Sequence, residues 1–442
     1  MSRDTTPPGD RRGTAKAANG FIAAERRPAH ARRRGAPVAQ ALAAVDDAYT
    51  LDLARRLVRI PSVYRPGDPR ANEGEAAALV ADELRRLDLA VHVEDAAPGR
   101  PNVIADLPGC GSGPLLIMEG HTDVVTEGEA AVWSVPPFGG VLRDGRLYGR
   151  GAADMKAGVA AAIGAVRALR GSGVRLPGTV RLAIVADEEG MMLGIKSFIK
   201  NGWARGAGGA IICEPEDNAM CLAQKGALRA LARFQGRMAH GAMPKSGCNP
   251  IPAAAAFIGA AAALEARYLA HHGRHPLLGE PSVTPTLVQA GEPVQLNVMH
   301  ADAVVGLDIR TIPGQDHALI GQDLEAAAAG AAAASAGCRA SVEILEERPW
   351  TETDPSAPIA LAVADACRRV QGRPPRIAGV PGATDGTFLH AWAQVPVVTI
   401  GPGDVTIPHQ ADEFVRVADI AEACRIYAAA ACYFFGGEWP GR

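Results

Sequence analysis

Apolar and polar residues alternate with two different periods along the chain, and the switch between the periods predicts helices that alternate with strands. Helical spacing and short apolar runs follow one another over residues 48–59, 75–87, 91–93, 102–105, 115–118, 159–169, 180–185, 195–200 and 210–213. Such alternation is typical of an α/β layer built on a mainly parallel sheet. We therefore expect an α/β fold with this sheet between helices in the first half of the chain.

The order of elements changes near Gly226. The pattern predicts strand, helix, strand, strand, helix and strand over residues 227–234, 250–268, 282–289, 303–309, 317–336 and 340–345. This order is that of a ferredoxin-like split βαβ unit. Alternation resumes after Pro349. We therefore predict a catalytic domain in two parts, 46–224 and 347–442, interrupted by an α+β lid or dimerisation domain at 225–346.

Composition allows a large core, since 48% of the 442 residues are apolar. The net charge of -3 conceals an asymmetry, because residues 1–35 carry nine Lys and Arg against three Asp and Glu. We expect residues 1–45 to be a disordered basic arm. A nucleic-acid-binding arm and an over-extended start codon are alternatives, but a short charge run is usually solvated chain, so no nucleic-acid partner is expected.

Hydropathy and cysteine content predict the cellular location of the protein. Apolar segments such as 326–336 are alanine-dominated and too short for a transmembrane helix, so no membrane span is predicted. The eight cysteines are scattered without a Cys-x-x-Cys pair. We therefore expect reduced thiols in a cytoplasmic protein and no thiolate zinc cluster.

Five histidine and carboxylate side chains each follow an apolar run or open a helix. They are His121, Asp154, Glu189, Glu214 and His409. In open α/β sheets ligands bind beyond the carboxyl ends of the strands, which is where several of these residues fall. Imidazole and carboxylate groups suit a divalent metal ion, and two neighbouring ions share one carboxylate.

Two neighbouring carboxylates have other expected roles. Asp123 lies two residues after His121 on the same side of an extended segment, so it is placed to hold the second imidazole nitrogen. Glu188 stands beside a ligand and is a candidate general base. Alone, these residues could form a structural hydrogen bond and a solvated acidic turn. The order of all these residues along the chain favours a metal site, because neighbouring carboxylates repel one another unless a cation neutralises them.

Several motifs follow one another along the chain. They are Gly-His-Thr-Asp-Val-Val at 120–125, Leu-Tyr-Gly-Arg-Gly-Ala-Ala-Asp-Met-Lys at 147–156, Asp-Glu-Glu at 187–189, Cys-Glu-Pro at 213–215, and Gly-Pro-Gly at 401–403 leading to His409. In this order they resemble the M20 family of metallopeptidases and amidohydrolases, which includes deacetylases, desuccinylases and carboxypeptidases. The resemblance covers about residues 46–436 and implies a zinc-peptidase-like catalytic domain.

The resemblance also implies the division of ligands. Asp154 would bridge two metal ions, with His121 and Glu214 completing one site and Glu189 and His409 the other. Zinc is the expected metal, and cobalt and manganese are alternatives. Glu188 would act as general base, and Asp123 would orient His121.

In the inserted domain, the segment around His240 resembles a family lid whose histidine reaches the partner subunit's active site and stabilises the oxyanion. Asn297, Arg310 and Gly382 match family positions that help to hold substrate. Read alone, His240 is an ordinary strand-end histidine, and a surface ion pair is the alternative role for Arg310. Gly241 departs from the family pattern, as do Pro250 and Glu216, which puts the substrate in doubt.

These inferences predict a metal-dependent hydrolase that cleaves the amide bond of a small N-acyl amino acid, of deacetylase or desuccinylase type. A dipeptidase or carboxypeptidase of the same family is the nearest alternative, and a catalytically silent binding protein is a more distant one. We expect a homodimer, although some family members close on themselves.

Overall fold

The structure is a computed structural model, and it describes residues 28–436. Its helices are α1 Pro28–Ala43, α2 Asp47–Val58, α3 Gly74–Arg86, α4 Ala157–Gly171, α5 Leu193–Lys200, α6 Ile251–His272, α7 His317–Ala333, α8 Pro358–Gln371, α9 Gly386–Ala393 and α10 Val417–Phe435. Asp46 caps α2 by accepting the Tyr49 backbone N–H, and Asp316 caps α7 in the same way through Ala318.

The strands are given in chain order, beginning with those of the first half of the chain. They are β1 Ala90–Ala97, β2 Arg100–Leu107, β3 Leu115–His121, β4 Val141–Arg143, β5 Arg146–Tyr148, β6 Thr179–Val185, β7 Ala207–Ile212, β8 Met220–Gln224 and β9 Gly226–Gln235. The remaining strands are β10 Ala239–His240, β11 Ser282–Ala290, β12 Val298–Met299, β13 Asp302–Thr311, β14 Arg339–Arg348, β15 Thr351–Glu352, β16 Ile377–Val380, β17 Val397–Thr399 and β18 Phe414–Arg416.

A large mixed sheet has the strand order β1-β2-β6-β3-β7-β17-β8-β15, and β16 pairs with β8. Its four central strands, β6, β3, β7 and β17, are parallel to one another. The strands on either side, β2 and β8, pair antiparallel with this centre. The prediction of an α/β fold with a mainly parallel sheet is confirmed.

Helices cover both faces of the large sheet, as the alternation of side chains along its strands requires. On β3, Leu116 and Met118 join the core formed with α2, α3, α4, α8 and α10. Leu115 and Ile117 join a second core with α5 and α9 on the opposite face. Because both faces of β3 are buried, its sequence is a continuous apolar run that ends at the first polar residues of the site.

A smaller antiparallel sheet has the order β11-β13-β9-β14. Helices α6 and α7 pack on one of its faces around Phe234, Phe257 and Leu324. Chain order and strand order together are those of the expected ferredoxin-like α+β unit. By length and composition, α6 alone among the described helices is apolar enough to cross a membrane. One face of α6 packs on the smaller sheet, with Phe257 fully buried, and 33% of its most apolar stretch is buried.

The amino-terminal segment differs from the expectation. Residues 1–27 lie outside the described part of the chain, but residues 28–43 form α1. Val38 and Ala41 of α1 are buried in the main core, where the helix packs against α10. The prediction of a disordered arm over residues 1–45 is therefore wrong for this stretch. Its few apolar positions contact a distant helix, and no local pattern reveals that contact.

Candidate metal centre

Three parallel strands bring most of the candidate ligands to one edge of the large sheet. His121 is the last residue of β3 and pairs with Val185, the last residue of β6. On the other side of β3, Glu119 pairs with Ile212, the last residue of β7. The loops after β6 and β7 carry Glu188, Glu189 and Glu214, so these side chains meet His121 beyond the carboxyl ends of the strands.

Asp154 lies at the centre of the cluster, and its two carboxylate oxygens face different imidazoles. Its Oδ1 is 3.2 Å from Nε2 of His121, and its Oδ2 is 3.3 Å from Nε2 of His409. Nε2 of His121 is 3.6 Å from Oε1 of Glu214, and Nε2 of His409 is 3.0 Å from Oε1 of Glu189. The structure therefore brings all five sequence-predicted ligands together, two on each side of Asp154.

The donor set fits divalent metal ions. Ligand atoms of His121, Asp154 and Glu189 lie within 4.8 Å of one another, and so do those of His121, Glu188 and Glu214. Burial raises the pKa of Glu188 and that of Glu214 well above the ordinary carboxyl value. Burial disfavours the charged forms of these carboxyls, and a bound divalent cation would stabilise those forms. Distance does not distinguish Glu188 from the candidate ligands, since its carboxylate lies within 4.8 Å of the ligand atoms of His121 and Glu214.

Asp123 contacts both the histidine and the acidic loop. Its carboxylate lies 3.5 Å from Nδ1 of His121, and its backbone carbonyl lies 3.0 Å from the same nitrogen. The carboxylate also accepts the backbone N–H groups of Glu188 and Glu189, at 3.1 and 3.0 Å. Burial opposes ionisation, but these hydrogen bonds and the neighbouring His121 lower the pKa of Asp123. Asp123 thus orients two parts of the site at once.

The acidic loop is buried, which contradicts its reading as a solvated turn. Asp187 and Glu188 are only 3% and 7% exposed. The buried guanidinium of Arg100 pairs with Asp187 and with Glu73. The Asp187 carboxylate also accepts the backbone N–H of Met191 at 3.0 Å. The loop is therefore fixed by buried ion pairs, and its acidic side chains point into the protein.

Sequence reasoning missed Glu413, which holds the backbone at the central ligand. Its carboxylate accepts the N–H groups of Ala153 and Asp154 at 2.9 and 3.1 Å and pairs with Arg150 at 2.5 Å. Glu413 is fully buried just before β18. No motif marks it, because its partners lie about 260 residues earlier in the chain.

A second group that sequence reasoning missed is a pair of buried carboxyls, Glu119 on β3 and Asp385 at the start of α9. No hydrogen-bond donor reaches either carboxyl among the described residues. Burial raises the pKa of Asp385 to about 7. Burial, and after it the proximity of Asp385, raise the pKa of Glu119 well above the ordinary value. The protonation of each carboxyl therefore depends on that of the other.

The structure places the lid residues apart from this cluster. His240 is exposed, and its Nδ1 accepts the backbone N–H of Ala242 at 3.0 Å. It lies on β10, which pairs with β12, and the neighbouring Gly241 donates to the carbonyl of Asn297 at 2.7 Å. His240 therefore lies on β10, and Asn297 lies in the turn just before β12. Within residues 28–436, neither has a hydrogen bond or ion pair to a candidate metal ligand.

Arg310 and Gly382 lie at the junction of the two sheets. The Arg310 guanidinium contacts Asp308 on the same strand, with Nε 2.6 Å from a carboxylate oxygen. Gly382 belongs to the loop after β16, and a Cβ added there would meet no atom within 4 Å. The same loop is anchored by Thr384, whose backbone N–H and hydroxyl both donate to Gln224. The structure thus leaves the backbone at Gly382 accessible.

Known proteins match both the sequence and the fold. A model of the peptidase family M20/M25/M40 matches residues 117–432. The chain is 33% identical to a succinyl-diaminopimelate desuccinylase of Methylobacterium radiotolerans over 407 residues, which covers 88% of this chain and 97% of that protein.

Two solved structures share the fold. One is the aminopeptidase PepT of Bacillus cereus, with a TM-score of 0.72 and 19% identity over 88% of this chain and 99% of that one. The other is a dinuclear metal binding peptidase of the M20 family from Bacillus subtilis, with a TM-score of 0.66, 18% identity, and coverage of 87% and 97%.

The family match and the shared fold bear on the function expected from the sequence. The match covers the whole run of motifs from His121 to His409. The expectation of a metal-dependent amide hydrolase is therefore confirmed, and no observation favours the dipeptidase alternative over it. This chain belongs to the peptidase family M20/M25/M40.

Proposed function

We propose that this protein removes an acyl group from the nitrogen of an amino acid, with an N-succinyl diamino acid as the preferred class of substrate. The observation that carries the proposal is the buried cluster in which Asp154 lies between His121 and His409. The acyl group is suggested by the name of the relative that matches 88% of the chain, a succinyl-diaminopimelate desuccinylase.

His121, Asp154 and Glu214 are proposed to hold one metal ion, and Asp154, Glu189 and His409 a second. Zinc is the proposed metal because it accepts tetrahedral sets of imidazole and carboxylate ligands. Two such ions would lower the pKa of a water molecule and polarise the carbonyl group of the substrate. Asp123 would keep Nδ1 of His121 engaged, so that Nε2 faces the metal.

Glu188 is proposed to move the proton. Its carboxylate would accept a proton from the attacking water and deliver it to the nitrogen of the departing amine as the C–N bond breaks. Two observations support this role. Burial raises the pKa of Glu188, which favours proton uptake, and Asp123 fixes its backbone N–H at 3.1 Å.

His240, Asn297, Arg310 and Gly382 are proposed to contact the substrate. The exposure of His240 leaves its Nε2 available to the active site of a second copy, where it would stabilise the oxyanion. The loop beside it exposes Val294 and Leu296 to about 90%, which suits a surface covered by a partner. We therefore propose a homodimer with residues 225–346 as its lid and dimerisation domain, between catalytic segments 46–224 and 347–442.

A cytoplasmic location is proposed from the cysteines. All eight lie within the described residues, and none is paired in a disulfide. Unpaired buried thiols are typical of a reducing compartment. Fractionation of the native host, with an antibody against this chain, would test the location directly.

A substrate panel tests the proposed activity. The zinc-loaded protein would be incubated with N-succinyl-diaminopimelate, N-acetylornithine, N-acetyl amino acids and simple dipeptides, and amine release would be measured. We expect the largest kcat/KM for the succinyl substrate. Cleavage of dipeptides alone would replace the proposal with a dipeptidase. Failure on every substrate with two metals bound would favour a silent binding protein.

A further inference from the structure

One buried arginine connects the smaller sheet to the acidic loop of the metal centre. Arg348 is the last residue of β14, is 8% exposed, and donates a hydrogen bond to the backbone carbonyl of Gly190 at 2.7 Å. Among the hydrogen bonds and ion pairs of residues 28–436, this is the one that joins a strand of the smaller sheet to residues 187–190. Gly190 directly follows Glu188 and Glu189.

Arg348 is itself held in place from the smaller sheet. Its Nε donates to Glu346, and the second oxygen of Glu346 accepts from Arg229 on β9. Glu346 is as buried as Arg348. Charge-assisted hydrogen bonds in such surroundings have a fixed geometry, so Arg348 follows any movement of the sheet that carries Glu346 and Arg229.

The catalytic part holds the same loop from the opposite side. Asp123 accepts the N–H groups of Glu188 and Glu189, and Arg100 pairs with Asp187. Gly190 has no free space on that side, since a Cβ added there would lie 2.3 Å from Oδ1 of Asp187. The loop is therefore held from two sides, by the catalytic part and by the smaller sheet. The smaller sheet contacts it at the Gly190 carbonyl.

We propose that Arg348 is a positioning residue for Glu188 and Glu189. Through the Gly190 carbonyl, it makes the placement of these two carboxylates depend on the orientation of the smaller sheet. The inference rests on the proposed role of Glu188 and extends it to a residue about 160 positions away. A merely structural ion pair would change the free energy of unfolding without changing turnover by the folded, metal-loaded protein.

Kinetics of Arg348→Gln and Arg348→Lys test this role. We expect Arg348→Gln to lower kcat by about 10-fold or more with both metals retained, a loss typical of residues that hold the groups of a metal site in place. KM should change little, because Arg348 is not proposed to touch substrate. Arg348→Lys should recover part of kcat, since an ammonium can still donate to the Gly190 carbonyl. Glu346→Gln should give a smaller loss in the same direction.

Hydrogen–deuterium exchange of the peptide covering residues 186–194 provides a readout that needs no substrate. Arg348→Gln should exchange faster there than the wild type, and the control Arg233→Gln should not. Arg233 is an exposed residue of the same sheet that lies 3.6 Å from Glu343. Should Arg348→Gln misfold, Arg348→Lys and Glu346→Gln carry the test.

Three results would overturn the proposal: unchanged exchange, a kcat within about twofold of wild type, or a loss of kcat that only follows metal loss. An inactive wild type would instead count against the proposed function. In that case the exchange measurement would still decide the role of Arg348.

Discussion

The metal-ligand edge of the large sheet and the β10–β12 element of the smaller sheet differ in how their functional side chains are held. At the edge, His121 is fully buried and contacts Asp123, Asp154 and Glu214. On β10, His240 is exposed, and its ring contacts only a neighbouring backbone group among the described residues. A site fixed by buried partners can act within one chain. An exposed histidine acquires an oxyanion-binding role only when another surface covers it.

Removing the proposed base should give the largest effect on the metal-ligand edge. We expect Glu188→Ala to lower kcat by about 10³-fold or more, because the variant loses the carboxylate proposed to accept and return the proton. Metal content should remain near wild type, since the five proposed ligands are intact. Steady-state kinetics with metal analysis checks this. A near-normal kcat at full metal occupancy would remove Glu188 from the mechanism.

Removing Glu413, which holds the backbone at the same edge, should lower the free energy of unfolding. Glu413→Ala leaves the buried guanidinium of Arg150 without its partner. A broken buried pair of this kind costs about 3–5 kcal/mol of the free energy of unfolding. Urea unfolding measures it, with the exposed Glu129→Ala as the matched control. Equal stability of both variants would show that Arg150 finds another partner.

Substitution of His240 tests the other side of the comparison. We expect His240→Ala to lower kcat by about 10²-fold, the usual loss for one oxyanion donor, while the melting temperature stays unchanged because the side chain is exposed. The exposed His271→Ala in α6 should leave both quantities unchanged. Mixing the impaired His240→Ala and Glu188→Ala proteins should raise activity above that of either variant if His240 acts across a dimer. Absence of restoration in a verified mixed dimer would confine His240 to its own chain.

The smallest change in folding stability is expected for the exposed loop next to β12. Leu296→Ser should change the free energy of unfolding by no more than about 0.5 kcal/mol, since the side chain is 90% exposed. Sedimentation should nevertheless show weaker dimer formation if this loop lies in the subunit contact. An unchanged dimer would place the contact on another part of the lid.

The elements that sequence periodicity predicted well are those with strong local signals. The runs 115–118 and 180–185 form the first part of β3 and nearly all of β6, and the Ala-rich segment 250–268 forms most of α6. Short strands were missed, as β8 and β16 show, because the pairing partners of β16 lie more than 150 residues away. The helix α1 was missed for the same reason, since Val38 is buried only by contacts with distant helices.

The convergence of most candidate ligands was predictable because they follow strands or open a helix, and parallel strands end at a common edge. The residues that hold those ligands were not. Glu413, Arg100 and Arg348 act on groups between about 87 and 263 residues away, and nothing in their local sequence distinguishes them from surface charges.

The sequence by itself determined the family, the order of the two sheets and the identity of the chemical groups at the metal centre, because periodicity and residue type are local properties. Only the tertiary structure decided which carboxylates are buried, which oxygen of Asp154 faces which imidazole, and which charged partners fix the loop that carries Glu188. Burial and pairing depend on residues that are distant in sequence and become neighbours only when the chain folds.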